Sequence, residues 1–353
     1  MKLERLMKEK QMDAILITNL LNVRYFTSFT GTTGTAIIIG KRKFFITDFR
    51  YVEQGKKQVE KMGFELICEN VSTFKKIGEL LKEYDVKKIG IENQSVTLDQ
   101  FKTFEKNFPK LEYIYLDDAF TKEREIKSEE EIKIIKESIK IAEKALEATL
   151  PKIKVGMKEK DVAAELEYQM RKQGADKPSF DLIVASNERS ALPHGVASDK
   201  LIEEGFLTID YGCFYKGYAS DITRTFYVGK NPSEKHIEIY NIVKEANEKA
   251  IKAIKEGVSV HELDSIARDF IKEKGYGDYF GHGLGHGIGL QIHEYPGVSF
   301  KSEDKVLKAG MVITIEPGIY LPNFGGVRIE DDILVTKDSY EILTSLKKDL
   351  KTI

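Results

Sequence analysis

The chain is short of cysteine, of net charge and of long apolar runs, and each shortage removes a class of function. Only two cysteines occur in 353 residues, Cys68 and Cys213. They stand too far apart for a zinc knuckle or a disulfide framework, so they read as buried free thiols in a reducing compartment. The formal net charge is −2, and no segment is basic throughout, which argues against a nucleic-acid partner. Lysines alternate with glutamates, as in KSEEEIKIIKESIKIAEKALE, a pattern of solvated helix faces. The longest apolar runs are strand-sized, such as Ala36–Ile39, far below a membrane span. The opening MKLERLMKEKQMDAILI lacks the apolar core of a secretion signal. The expectation is a cytoplasmic protein with no membrane partner.

What is there supports a large folded core: 41% of residues are hydrophobic and 32% charged. At about 150 residues per domain, the length suggests roughly two domains. In the first part, DAILIT, TAIIIG, KFFITD, FELICE, KKIGIE and YIYLD read as strands. YVEQGKKQVEKMG, FKKIGELLKEYD and LDQFKTFEKNF read as the helices between them. An α/β domain over residues 1–123 with a mixed or parallel sheet is expected. Ser128 followed by Glu131 is a capping box ahead of helically spaced Ile132, Ile135, Ile139 and Ala142. It opens a second, α+β domain over residues 124–353.

That second domain carries a weak internal repeat. Gly156–Gly174 and Gly257–Gly275 are each a helix closed between glycines, each preceded by a longer helix. Each is followed by a strand ending in an acid, Asp210 in LTID and Glu316 in ITIE. A second acid comes after a short return, Asp221 and then Glu330. Such short returns join antiparallel strands, so a pseudo-two-fold domain is expected. Strand alternation puts Asp210 with Thr208, and Glu316 with Thr314, on the face opposite the apolar residues. A single acid at a strand end is most simply solvated. Four in repeat-related places, with a histidine cluster between, would repel one another without cations. Carboxylates with an imidazole form a hard, oxygen-rich ligand set suited to Mn²⁺, with Co²⁺, Zn²⁺ or Fe²⁺ as alternatives. Four carboxylates balance two dications, and such a pair can activate water for hydrolysis.

Three of the six histidines fall in GHGLGHGIGLQIHEYP: His282, His286 and His293. Gly283 and Gly285 lead to Ile288 where a phosphate-binding G-x-G-x-x-G would need glycine, so a phosphate cradle is disfavoured. The glycines oppose a regular helix but let backbone approach a crowded site. His236 and His261 lie on charged helical stretches and read as structural or surface-exposed.

These blocks resemble a known family. PHG at Pro193–Gly195, TIDYG with SDITRTF, GHGLGHGIGLQIHEYP, ITIEPGIY and GVRIEDDILVT are similar to the signatures of the aminopeptidase P/prolidase peptidases. These are pita-bread fold metallopeptidases related to creatinase and methionine aminopeptidase. The resemblance spans nearly the whole chain. It implies a creatinase-like N-terminal domain ahead of a pita-bread catalytic domain. It further implies that Asp210, Asp221, His286, Glu316 and Glu330 hold two metals, with Asp221 and Glu330 bridging. Glu316 would take the proton of a metal-bridging water. His194, His282 and His293 would position substrate, stabilise the intermediate or shuttle protons, and Arg328 would support the carboxylates. Asp332 shares the strand face of Glu330, and only the resemblance prefers Glu330. Creatinase and the non-enzymatic relatives lack the full set of five, and methionine aminopeptidases lack the N-terminal domain.

The implied activity is hydrolysis of an Xaa–Pro bond, so the implied partner is a peptide or dipeptide with proline in second position. FFITDFRYVEQG resembles a TD-x-RY block of aminopeptidase P proteins, which favours an Xaa-Pro aminopeptidase. An Xaa-Pro dipeptidase is the alternative, and a silent binding protein the third reading. For Asp48, Arg50 and Tyr51 a local turn with a surface ion pair explains the block equally well. The family commonly forms dimers, so a homodimer is expected.

Overall fold

The computed structural model describes residues 2–302 and 305–353. The chain divides into two compact units, residues 1–123 and 124–353.

In the first unit the order is α1 (Lys2–Glu9), β1 (Ala14–Ile17), α2 (Leu20–Thr27), β2 (Thr35–Ile39), β3 (Arg42–Thr47), α3 (Val52–Val59), β4 (Glu65–Cys68), α4 (Thr73–Glu83), β5 (Lys88–Ile91), α5 (Leu98–Asn107), β6 (Glu112–Tyr115) and α6 (Ala119–Glu125). All six strands read from the sequence form one mixed sheet, ordered β4-β3-β2-β1-β5-β6. β1 pairs antiparallel with β2 and parallel with β5. Its residues alternate between two cores: Ile15 and Ile17 pack on one face, Ala14 and Leu16 on the other. A strand covered on both faces reads as a continuous apolar run, which is why DAILIT shows no polar alternation. The block around Asp48 is local architecture. Asp48 caps the single turn Phe49–Tyr51, accepting from Arg50 N at 3.0 Å, and pairs with the Arg50 guanidinium at 2.7 Å.

The second unit opens with α7 (Glu129–Thr149), α8 (Glu159–Lys172), β7 (Lys177–Pro178), β8 (Ile183–Ser186), β9 (Gly205–Tyr211), β10 (Cys213–Tyr215), β11 (Tyr218–Ala219) and β12 (Ile222–Val228). It continues with α9 (Glu234–Lys252), α10 (Val260–Glu273), β13 (Gly285–Gly287), β14 (Glu294–Val298), β15 (Val312–Ile315), β16 (Gly318–Leu321), β17 (Gly325–Arg328), β18 (Asp331–Val335) and β19 (Tyr340–Ile342). The repeat is physical. The longer helices both begin at serine-based capping boxes, Ser128 with Glu131 and Ser233 with His236. Gly156, Gly174, Gly257 and Gly275 all hold φ between +88° and +108°, a region costly for any residue with a Cβ. Each half has its own core: α7 and α8 with Leu207 and Ile209, α9 and α10 with Ile313 and Ile315. The intervening residues Thr208, Asp210 and Thr314 therefore turn to the opposite face.

The halves differ in register. Asp221 and Glu330 each stand one residue before their strand, β12 and β18. Asp210 pairs with Thr223 inside its ladder, whereas Glu316 lies one residue past the final pair, Ile315 with Asp331. The offset of two positions keeps both acids on one face, because strand side chains repeat every second residue. His236 packs among Phe206, Tyr227 and Phe324, and His261 Nε2 lies 2.7 Å from Ser302 O. Both are structural.

Candidate metal centre and active site

Nine residues singled out in the sequence line one cavity of about 540 Å³: His194, Asp210, Asp221, His282, His286, His293, Glu316, Arg328 and Glu330. Five elements of the second unit deliver its acids and central imidazole. Asp210 is on β9, Asp221 enters β12, His286 is the middle of β13, Glu316 leaves β15, and Glu330 joins β17 to β18. β13 is three residues long and sits between β14 and β15. A Cβ on Gly285 would collide with Thr314 O, and one on Gly287 with Tyr295 O. The two glycines thus let neighbouring backbone close around His286.

The donor atoms fit cations. His286 Nδ1 lies 3.0 Å from Gly287 O. A carbonyl only accepts, so that nitrogen carries the proton and Nε2 presents a lone pair in the neutral ring. Nε2 points at carboxylate oxygens, 3.5 Å from Asp221 Oδ2 and 3.6 Å from Glu316 Oε1. One donor atom each from Asp221, His286 and Glu330 all fall within 4.8 Å of one another. Burial, reinforced by neighbouring carboxylates, pushes Asp221 and Glu330 far above the ordinary carboxyl range. Burial also raises Glu316. Asp210 Oδ1 is buried without a hydrogen-bond partner among the described residues. Lone pairs facing lone pairs, buried acids and an orphaned oxygen are the pattern that divalent ions resolve.

Hydrogen bonds around the cluster set which oxygen of Asp210 and of Glu330 remains open. Arg328 Nη2 donates to Asp210 Oδ2 at 2.6 Å, and Arg328 Nε donates to Thr223 Oγ1 at 3.1 Å. Thr223 Oγ1 donates to Glu330 Oε2 at 2.6 Å. Arg328 Nη1 holds the PHG loop through Pro193 O at 3.2 Å and donates to Tyr320 Oη at 2.8 Å. Asp332 stays out of the cluster. It accepts from Asp221 N at 3.1 Å, and burial pushes its carboxyl up to about 8.

The three histidines of the glycine-rich loop separate by their partners. His282 Nδ1 lies 2.7 Å from Gly283 O, and Nε2 lies 2.8 Å from Tyr320 Oη. Both ring nitrogens are engaged within the protein, and burial with the nearby Arg328 charge pulls its pKa down to about 4. The Gly283 carbonyl fixes one ring nitrogen of His282 and the Tyr320 phenol takes the other, while the ring lines the cavity. Arg268 supports this loop, donating to His282 O at 2.7 Å while pairing with Asp264. His293 packs edge-on to His286, with ring centroids 4.3 Å apart, and His194 is exposed at the cavity. Sequence reasoning missed Tyr320 and Thr223. Both lay inside quoted blocks, ITIEPGIY and SDITRTF, but their partners are distant in sequence.

Residues 133–337 match the profile of metallopeptidase family M24, and residues 1–126 that of the creatinase/prolidase N-terminal domain. The chain belongs to metallopeptidase family M24, in its pita-bread form with a creatinase-type N-terminal domain, and that membership implies divalent metal ions. Among its relatives, an Xaa-Pro dipeptidase of Pyrococcus furiosus is 45% identical over 99% of this chain and 98% of its own length. A solved structure described as an Xaa-Pro dipeptidase from Bacillus anthracis is 49% identical with a TM-score of 0.96, covering 100% of this chain and 98% of that one. The solved X-Pro aminopeptidase of Thermotoga maritima is 41% identical with a TM-score of 0.93, covering 99% of this chain and 100% of that one. No described helix is long and apolar enough to cross a membrane.

Proposed function

We propose that the protein is an Xaa-Pro dipeptidase that works with two divalent ions held by Asp210, Asp221, His286, Glu316 and Glu330. The observation that carries the metal assignment is the free Nε2 of His286 facing Asp221 and Glu316. The substrate assignment is supported by likeness over the whole chain to Xaa-Pro dipeptidases at 45% and 49% identity. The aminopeptidase reading, favoured from the TD-x-RY block, loses that support because Asp48 and Arg50 build their own turn. The Thermotoga maritima likeness keeps it as the second reading.

Bound ions would supply Lewis acidity, activating a water and polarising the scissile carbonyl. The chain's own groups do the rest. Glu316, beside the free Nε2 of His286, accepts the proton of the attacking water and delivers it to the departing proline nitrogen, which has no N–H of its own. His194 and His293 face the cavity and supply donors to the substrate. Arg328 keeps Asp210 Oδ2 occupied and leaves Oδ1 open, so that Asp210 would hold an ion through Oδ1. His282 and Tyr320 hold the Arg328 guanidinium in place. Manganese is the proposed ion, since oxygen donors dominate. A cytoplasmic homodimer is the proposed form, checked by light scattering and cell fractionation.

The deciding experiment compares hydrolysis of Xaa-Pro with Xaa-Pro-Xaa in Mn²⁺. A higher kcat/KM for the dipeptide is expected. A clear preference for the tripeptide establishes the aminopeptidase instead, and cleavage of neither rejects both.

A further inference from the structure

We infer that Lys348, on the C-terminal segment, is a positioning residue for the carboxylates Glu316 and Glu330, acting through Asn247 and Asp331. The inference rests on the reading of those two carboxylates as metal ligands. Lys348 itself lies outside the stretch matched by the M24 profile, which ends at residue 337.

The residues immediately before Glu316 and Glu330 are Ile315 and Ile329. A single buried side chain, Asn247 of α9, grips both. Its Nδ2 donates to Ile315 O at 2.9 Å and to Ile329 O at 3.3 Å. Two carbonyls accept and cannot donate, so the amide nitrogen must face them and Oδ1 must face away. Lys348 Nζ meets that oxygen at 2.7 Å. An ammonium only donates, so it locks the amide in the orientation that serves both carbonyls.

The same ammonium lies 2.6 Å from Asp331 Oδ2. Asp331 directly follows Glu330 and is fully buried. Its Oδ1 accepts from Arg224 Nη2 at 2.7 Å and from Thr344 Oγ1 at 2.6 Å. Arg224 Nη1 in turn donates to the carbonyl of Glu330 at 2.6 Å. Residues 329, 330 and 331 are therefore held successively by Asn247, by Arg224, and by Arg224 with Lys348.

The C-terminal segment is itself tied down. Arg224 donates to Leu346 O at 2.8 Å and to Lys347 O at 3.3 Å. Glu143 accepts from Ser345 N and from Leu346 N. Tyr227 exchanges backbone hydrogen bonds with Lys351 and Ile353. Lys348 is thus presented from an anchored segment, and removing its ammonium leaves the Asn247 amide free to turn and Asp331 with one partner fewer. Outer partners of metal ligands commonly contribute about 10–100-fold in metal affinity or activity.

The test is Mn²⁺ binding to the apoprotein by titration calorimetry, with circular dichroism to verify folding. Lys348→Met should weaken Mn²⁺ affinity by about 10–100-fold, and Lys348→Arg, which keeps a cationic donor, should recover most of it. Folded Lys348→Met with wild-type affinity overturns the inference. If that variant does not fold, Lys348→Met/Asp331→Asn removes both charges of the pair, and wild-type affinity there overturns it equally. Glu330→Gln is measured beside them. Loss of Mn²⁺ in Glu330→Gln with no change in Lys348→Met rejects positioning alone, whereas wild-type affinity in Glu330→Gln rejects the ligand reading beneath it.

Discussion

Arg328 and Asp210 form a dehydrated pair: Nη2 meets Oδ2 at 2.6 Å with side-chain exposures of 4% and 12%. Arg328 is the one cation placed directly against the acids of the cavity among the described residues. Removing one member of such a pair leaves the other charge buried, which costs about 3–5 kcal/mol. Arg328→Met should therefore lower apoprotein stability by about that amount. Saturating Mn²⁺ should narrow the deficit, because added cations replace the lost charge beside Asp210. Urea denaturation with and without Mn²⁺ checks this. An equal deficit in both conditions would show that Arg328 serves packing rather than charge balance.

His286 and His282 sit four residues apart, yet their removal should have different consequences. His286→Ala takes away the one free imidazole nitrogen directed at Asp221 and Glu316, so bound metal after dialysis should fall sharply. His282→Ala removes a ring whose nitrogens already serve Gly283 and Tyr320. Metal content should stay near wild type while activity drops by about 10–100-fold, as for other outer partners of a metal site. Metal analysis of the two purified variants decides, and metal loss in His282→Ala would overturn the division of roles.

Metal binding should release protons. Asp221, Glu330 and Glu316 are raised by burial in the metal-free protein, and ions require them ionised. A raised carboxyl favours the fold while neutral, and that contribution is lost as pH rises through its folded pKa. His282 has the opposite sign. Lowered from 6.5 to about 4, it contributes stability that is lost as pH falls across that interval. Apoprotein stability should therefore decline on the alkaline side, and Mn²⁺ should restore it there. Calorimetric titrations in buffers of different ionisation enthalpy measure the protons released, and a count of zero would contradict the raised carboxyls.

Much of this site was legible because its chemistry is local. Asp210, Asp221, Glu316 and Glu330 sit at repeat-related strand ends, and the glycines bounding each repeat are visible as letters. The six strands of the first unit were equally plain, since β-rich runs bounded by turns need little context. Helices α1, α2 and α6 are not among those expected from the sequence. LLNVRYFT of α2 follows a strand with one turn between, and the Asn19 cap, which accepts from Leu21 N, was the available signal. The division among the three histidines rests on the resemblance and not on their spacing, because the Gly283 and Gly287 carbonyls decide which ring nitrogens stay free. Tyr320, Thr223, Asn247 and Lys348 were invisible for a different reason. Thr223 meets Glu330 107 positions away, and Asn247 meets Lys348 101 positions away, so no short motif contains either pair. The two-position slip between the halves arises from pairing register, which composition does not encode.

Glu294 follows His293 directly and anchors the loop that carries it. Its Oε1 accepts from Arg124 Nε at 3.2 Å, and its Oε2 from Lys127 Nζ at 3.2 Å, with all three side chains at most 5% exposed. Arg124 Nη2 also holds Gln291 Oε1 at 3.0 Å, so the loop is pinned on both sides of His293. Burial pulls the Lys127 ammonium down while Glu294 pulls it up. Glu294→Gln keeps the shape but leaves two neighbouring cations without their shared anion. The cost should reach about 3–5 kcal/mol, and Lys127→Met/Glu294→Gln should recover part of it by removing one cation. Because His293 is not a proposed ligand, both variants should retain metal while kcat/KM for Xaa-Pro falls. Metal content measured alongside kinetics and thermal unfolding separates these effects. Lost metal with unaltered kcat/KM would show that Glu294 supports the ions rather than the placement of His293.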